Sequence, residues 1–183
     1  MRVRFLRARD LKVKKAAKML RQHMEWRDRI KPESITAADL PNSLPSGCFR
    51  FLGISKDKEP IMIIRVSLWN PQDFSLEEYV KNVAWIGELS YKMMAPGISK
   101  WIVLIDLKGW ALWHAKYISY VKQLISITQD QNPERLSSVY LMHAGWLFSG
   151  AWKVIRPWMD KNTAAKVHFL GSQMQVRRLG YIY

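Results

Sequence analysis

Four histidines, a single cysteine and scattered serines are the side chains of this 183-residue chain that could attack a substrate, shuttle a proton or hold a metal. Their spacing assembles none of those chemistries. His23, His114, His143 and His168 lie far apart, and none is spaced from Cys48 as metal ligands are. Ser149-Gly150 offers half of a nucleophile elbow, but Leu147 stands where G-x-S-x-G needs its first glycine. G-x-G-x-x-G, P-loop and H-E-x-x-H patterns are absent. The histidines and Cys48 therefore read as packing residues, and neither a catalytic residue nor a metal site is expected. The polar chemistry sits instead beside apolar runs: Asp106-Leu107-Lys108-Gly109 after one, Pro133-Glu134-Arg135 before the next, and Thr163 to Lys166 before a third.

Between the second and third runs lies a segment crowded with tryptophan. Trp146, Leu147, Phe148, Ala151, Trp152, Val154, Ile155 and Trp158 leave almost no polar face except Ser149, Lys153 and Arg156. A core helix has this composition. So does a lid with one face on an apolar ligand and the other on lipid, because tryptophan joins an apolar body to a polar N–H.

The elements that must position these residues follow from periodicity. A first helix is predicted from about Lys12, capped by Asp10, with Val13, Ala17, Leu20 and Met24 as its apolar stripe and Pro32 as its stop. Residues 31–47 read as a loop. Phe49–Ile54 and Ile61–Val66 read as a hairpin. Ser75 with Glu78 reads as a capping box opening a helix to about Met94. Then come a strand (101–106), a helix (about 113–129), a strand (138–143), a helix (146–157), a short helix (161–165) and a strand (166–170). Strands joined by helical crossovers imply parallel pairing, hence an α/β fold with a mostly parallel sheet of about five strands. The order suggests a sheet floor under an apolar lid with a few polar anchors, a container for an apolar molecule.

Length and composition suit one domain with a sizeable core. Hydrophobic content of 49% argues against disorder. A lone cysteine excludes an intrachain disulfide, and no run is long enough to span a bilayer, so a cytoplasmic protein is expected. The net charge of +14 is uneven, with residues 1–31 carrying +9 of it. A polyanion is the natural partner, either an anionic membrane surface or nucleic acid. The basic cluster holds only Phe5 and Trp26 as aromatics, which is not the interleaving that base stacking needs, so no specific nucleic-acid role is expected.

At this point the residues resemble a known family. Arg4 to Arg9 (R-F-L-R-A-R), Trp26-Arg27, Asp106 to Gly109, Pro133 to Arg135, Trp146 to Asp160 and Lys166 to Gly171 occur in the order and spacing of the CRAL-TRIO lipid-binding domain of Sec-fourteen-like phosphatidylinositol transfer proteins. The resemblance covers roughly residues 2–171. It implies a basic N-terminal helical segment (1–31), a lipid-binding domain (32–171) and an atypical C-terminal tail (172–183). It implies a pocket for one lipid under a mobile gate helix of about Trp146–Pro157, lined by Trp146, Phe148, Ala151, Trp152 and Ile155. It also implies a headgroup site of Arg9, Glu134, Thr163 and Lys166. Those residue types suit the role: the cations meet a phosphodiester, the carboxylate accepts from inositol hydroxyls, and the threonine does either.

Two departures qualify the resemblance. Members that bind phosphatidylcholine carry serine and threonine two residues apart on the strand before D-L-K-G, where this chain has Trp101 and Val103. Phosphatidylinositol is therefore expected over phosphatidylcholine. The chain also resembles a domain shortened at both ends, which would leave apolar pocket wall in water. The expected role is binding and transfer or presentation of a phospholipid between membranes, without cofactor or enzymatic activity, by a cytoplasmic monomer that visits membranes transiently. The alternatives are a carrier of a retinoid- or tocopherol-like molecule and a non-binding scaffold.

Overall fold

The computed structural model describes residues 2–170; the expected tail at 172–183 lies outside the described residues. Two helices open the chain, α1 (Arg2–Arg7) and α2 (Val13–Ile30), followed by the single turn α3 (Ser43–Ser46). The strands are β1 (Phe49–Ile54), β2 (Pro60–Arg65), β3 (Trp101–Asp106), β4 (Leu136–Met142) and β5 (Val167–Leu170). Between them come α4 (Leu76–Lys92), α5 (Ile118–Ser126), α6 (Phe148–Ile155) and α7 (Lys161–Ala164). The five strands lie in the order β1-β2-β3-β4-β5, with β1 antiparallel to β2 and every other pair parallel. The α/β fold with a mostly parallel five-stranded sheet is thus as expected. No helix among the described residues is long and apolar enough to cross a membrane.

Each parallel step moves one strand over in the same direction. Crossovers of constant hand then stack their helices on one face of the sheet. Met62, Val103 and Val139 share a register row on that face, and Ile64, Ile105 and Leu141 form the next. Tyr79, Val83 and Ile86 of α4 pack against the first row, and Phe148 and Ile155 of α6 pack around Leu141. The opposite face carries its own cluster of Ile61, Ile63, Ile102, Leu104 and Met142. Strands with apolar residues on both faces follow from parallel pairing.

The N-terminal region corrects the sequence reading. Asp10 does not cap α2: Lys12 holds the N-cap position without a side-chain bond, and Asp10 adopts a left-handed φ of 51°. The buried face of α2 is Ala16, Met19 and His23; of the expected stripe Leu20 is half-buried against the same cluster, whereas Val13, Ala17 and Met24 face solvent. A short run of alanines and lysines carries two apolar stripes, and contact with Phe5 of α1 selects the first. Lys31, left-handed at φ 49°, ends the helix before Pro32.

The capping box is half made. Ser75 Oγ accepts from the Glu78 N–H at 3.1 Å. The Glu78 carboxylate turns away and accepts from the N–H groups of Asn42 at 2.9 Å and Ser43 at 2.6 Å, capping α3 instead. Burial alone would raise the Glu78 carboxyl, but these donors outweigh it and hold it below the ordinary carboxylate range. The expected helix at 113–129 is broken into a 3₁₀ segment (Leu112–Tyr117), α5 and a π-turn (Ile127–Gln131). Within the π-turn Thr128 Oγ1 donates to the Leu124 carbonyl at 2.8 Å, and just after it Asn132 Nδ2 donates to the Ile127 carbonyl at 3.1 Å.

Candidate functional site

An apolar hollow of about 160 Å³ lies between the sheet and the crossover helices. Its floor is Phe49 with Ile64, Val103, Ile105, Val139 and Leu141 from the two register rows. Its flank is His114 with Ile118, Val121 and Leu124 from α5. Its cover is Phe148, Ala151, Trp152 and Ile155, which recur at helical spacing on one side of α6. Trp146, expected among the lining residues, is not there. It precedes α6, is 83% exposed, and its carbonyl accepts from Ser149 Oγ at 2.6 Å. The covering helix also ends early: α6 stops at Ile155, and Arg156–Trp158 continue as a 3₁₀ turn because Pro157 supplies no N–H.

A polar basin of about 280 Å³ adjoins the hollow. Arg9, Glu134, Thr163 and Lys166 all line it, although they come from the α1–α2 turn, the loop before β4, α7 and the residue before β5. Arg9 Nη2 lies 3.7 Å from Asp130, and Arg9 Nη1 donates to the Ala8 carbonyl at 2.9 Å. Lys166 Nζ donates to the Leu136 carbonyl at 2.8 Å, one of the three bonds an ammonium can make. Thr163 Oγ1 donates to Asp160 at 3.1 Å, and Asp160 caps α7 through the Thr163 N–H at 2.8 Å. Glu134 is half-buried, has a left-handed φ of 60°, and makes no hydrogen bond or ion pair among the described residues. Its neighbour Arg135 has a structural task, donating to the Ser99 carbonyl at 2.8 Å and stacking 4.6 Å over Tyr91.

Hollow and basin share wall: Thr128, Leu136 and Thr163 line both. The arrangement can hold a molecule with an apolar body in the hollow and an anionic, hydroxylated end in the basin. Thr128 was missed by sequence reading, although it follows Ile118, Val121 and Ile125 at helical spacing on the hollow-facing side. Asp160 carried a signal, because Asp-x-x-Thr before a short helix is an N-cap pattern.

Elsewhere, Cys48 and two of the histidines are buried. Burial pushes the Cys48 thiol up to about 12, so it stays protonated near neutrality. His23 and His114 are buried and held below the ordinary imidazole value, chiefly by that burial. Among the described residues no three His, Cys, Asp or Glu side chains gather as metal ligands would.

Known proteins share this architecture. The crystal structure of Sfh5 superposes with a TM-score of 0.75 at 17% identity, covering 92% of this chain and 62% of that one. A CRAL-TRIO domain-containing protein of Schizosaccharomyces pombe is 30% identical over 91% of this chain and 39% of its own length. The SEC14 cytosolic factor of Eremothecium gossypii is 27% identical over 98% of this chain and 64% of its own. The phosphatidylinositol transfer protein CSR1 of the same fungus is 28% identical over 91% and 41%. The chain thus spans less than two thirds of the length of these relatives. Residues 44–178, most of the chain, match the CRAL/TRIO domain family, and to that family this chain belongs.

Proposed function

We propose that this chain binds a single phospholipid, with phosphatidylinositol as the preferred headgroup, and carries it between membranes or presents it at their surface. The observation that carries the reading is the shared wall: the basin holding Arg9, Glu134, Thr163 and Lys166 and the apolar hollow have Thr128, Leu136 and Thr163 in common. Arg9 and Lys166 supply charge and donors for the phosphodiester. Glu134 supplies an unengaged acceptor for ring hydroxyls, which a choline headgroup lacks. Val103 on the floor and buried Trp101 provide no hydroxyl where choline-binding members have one. The chemistry is transport, with no bond made or broken.

Transfer has a plain physical basis. A two-chain lipid carries on the order of 30 methylenes at ~0.8 kcal/mol each, so escape through water faces a barrier of roughly 20 kcal/mol or more. An apolar cavity presented at the bilayer removes that crossing. A hollow of about 160 Å³ matches the size that holds a benzene ring rather than two acyl chains. Loading therefore requires α6 to swing away from the sheet, which is the gate motion. The second reading is a slimmer single-chain cargo of retinoid or tocopherol type, which exceeds the same volume by less and needs a smaller displacement of α6.

The deciding experiment is native mass spectrometry of the purified chain, followed by exchange assays with phosphatidylinositol and phosphatidylcholine vesicles. The proposal expects one bound phospholipid and faster inositol-lipid exchange, reduced by Glu134→Gln with Lys166→Met. Equal choline-lipid exchange would remove the headgroup preference. A bound single-chain hydrophobe would favour the second reading, and an empty protein would favour the scaffold.

A further inference from the structure

α2 turns an apolar stripe outward, and the turn that leads into it borders the basin. Leu11 and Val13 are each 69% exposed and Met24 is 58% exposed. At 3.6 residues per turn Val13, Ala17 and Met24 fall on one narrow strip, and exposed Lys14, Lys18 and Arg21 run along its edge. Asp10 and Leu11 are both left-handed, at φ 51° and 61°, a conformation that disfavours a branched side chain and here throws Leu11 into solvent. Arg9 and Asp10, directly before it, line the basin. The turn's one acid, Asp10, lies 3.8 Å from Lys12.

The geometry points to an insertion edge for an anionic bilayer, formed by Leu11, Val13 and Met24 and separate from the gate. Leu11 and Val13 enter the boundary between headgroups and acyl chains, while the flanking lysines and Arg21 meet lipid phosphates. Docked in this way, the basin faces the membrane surface that supplies its headgroup. This rests on the reading that the chain exchanges lipid at membranes. A second copy of the chain fits the strip poorly, since each copy would bring the +9 of residues 1–31 to the contact. A nucleic acid would answer the lysines and leave the apolar strip in water.

The test uses the whole chain carrying Leu11→Cys, or Leu52→Cys on β1 as a control, each labelled with an environment-sensitive fluorophore; native Cys48 is fully buried and does not compete. Vesicles are phosphatidylcholine with or without phosphatidylserine, and contain no phosphatidylinositol. The expected result is a blue shift at position 11 with phosphatidylserine present and none at 52. Leu11→Asp with Val13→Asp should weaken vesicle partitioning by roughly tenfold or more and leave lipid occupancy in native mass spectra unchanged. No shift at 11, an equal shift at 52, or a dimer in sedimentation that shields the label without vesicles would overturn the edge. An intact shift at 11 on a protein that never carries lipid would refute the carrier reading and leave the edge standing.

Discussion

His143 Nδ1 lies 2.7 Å from Asp106 Oδ1, tying the first residue after β4 to the last residue of β3. The same carboxylate oxygen accepts from the Lys108 N–H at 3.0 Å, so one acceptor organises the ends of two adjacent parallel strands. His143 is left-handed at φ 54°, and from it the chain runs through Ala144 and Gly145 into α6. The pair therefore stands at the root of the covering helix. Asp106→Ala should cost about 0.5–1.5 kcal/mol of stability, read as a lower denaturation midpoint. It should also speed lipid exchange by loosening α6. An unchanged exchange rate in a folded variant would separate this contact from gating.

Glu134 supports opposite predictions for stability and binding. A left-handed non-glycine residue carries roughly 1–2 kcal/mol of strain, which glycine relieves at some cost in unfolded-chain entropy. Glu134→Gly should leave stability unchanged or raise it by up to about 1 kcal/mol, while phosphatidylinositol loading falls by roughly tenfold, one charge-assisted contact's worth. Thermal melts and loading measured on one preparation check both halves.

Filling the hollow should block loading without unfolding the domain. Ala151 faces the space from α6. Ala151→Phe should cost no more than about 1–3 kcal/mol and should sharply reduce copurified lipid. Phe148→Ala, which removes a buried ring from the same cover, should cost about 3–5 kcal/mol. Calorimetry with native mass spectrometry distinguishes the two.

Removing the Glu78 carboxylate should be expensive for a residue outside the site. Glu78→Ala strands the N–H groups of Asn42 and Ser43, a loss of roughly 1–3 kcal/mol for each that stays buried without a partner. Chemical denaturation should show the lower midpoint with an unchanged slope.

The buried histidines set an acid limit. The imidazoles of His23 and His114 are held below their ordinary value of 6.5, first by burial; the Gln131 contact to His23 at 3.2 Å and the Ala111 contact to His114 oppose this without reversing it. The unfolded chain therefore takes up protons that the folded chain refuses. The stability they contribute is complete above about pH 6.5 and falls as pH drops below it toward their folded values. Denaturation midpoints between pH 7 and 5 should decline, and His23→Phe should flatten the decline.

Some of this was legible without coordinates. Alternating apolar runs and helical patterns specified the α/β class, and the five strands stand within a few residues of their expected places because strand and crossover lengths are set by the pattern itself. The tryptophan-rich segment was legible as an apolar helix, but not Trp146's exposure, because composition does not say where the first turn begins. Two equally periodic stripes on α2 gave no local basis for choosing between them. Nor could the capping box reveal that Glu78 would serve the N-terminal turn of α3, since that depends on a neighbour 36 residues back.

By themselves, then, the residues determined the sheet, its parallel crossovers, the basic N-terminus and the lack of catalytic motifs, all properties of local pattern and charge. Tertiary structure alone decided that Arg9, Glu134, Thr163 and Lys166 border one basin, that Thr128 stands in its wall, and that this wall is shared with an apolar hollow. Residues 9 and 166 stand at opposite ends of the described chain. Only the packing of α1, the β4 loop and α7 around one end of the sheet makes them neighbours, and no periodicity encodes such long-range proximity.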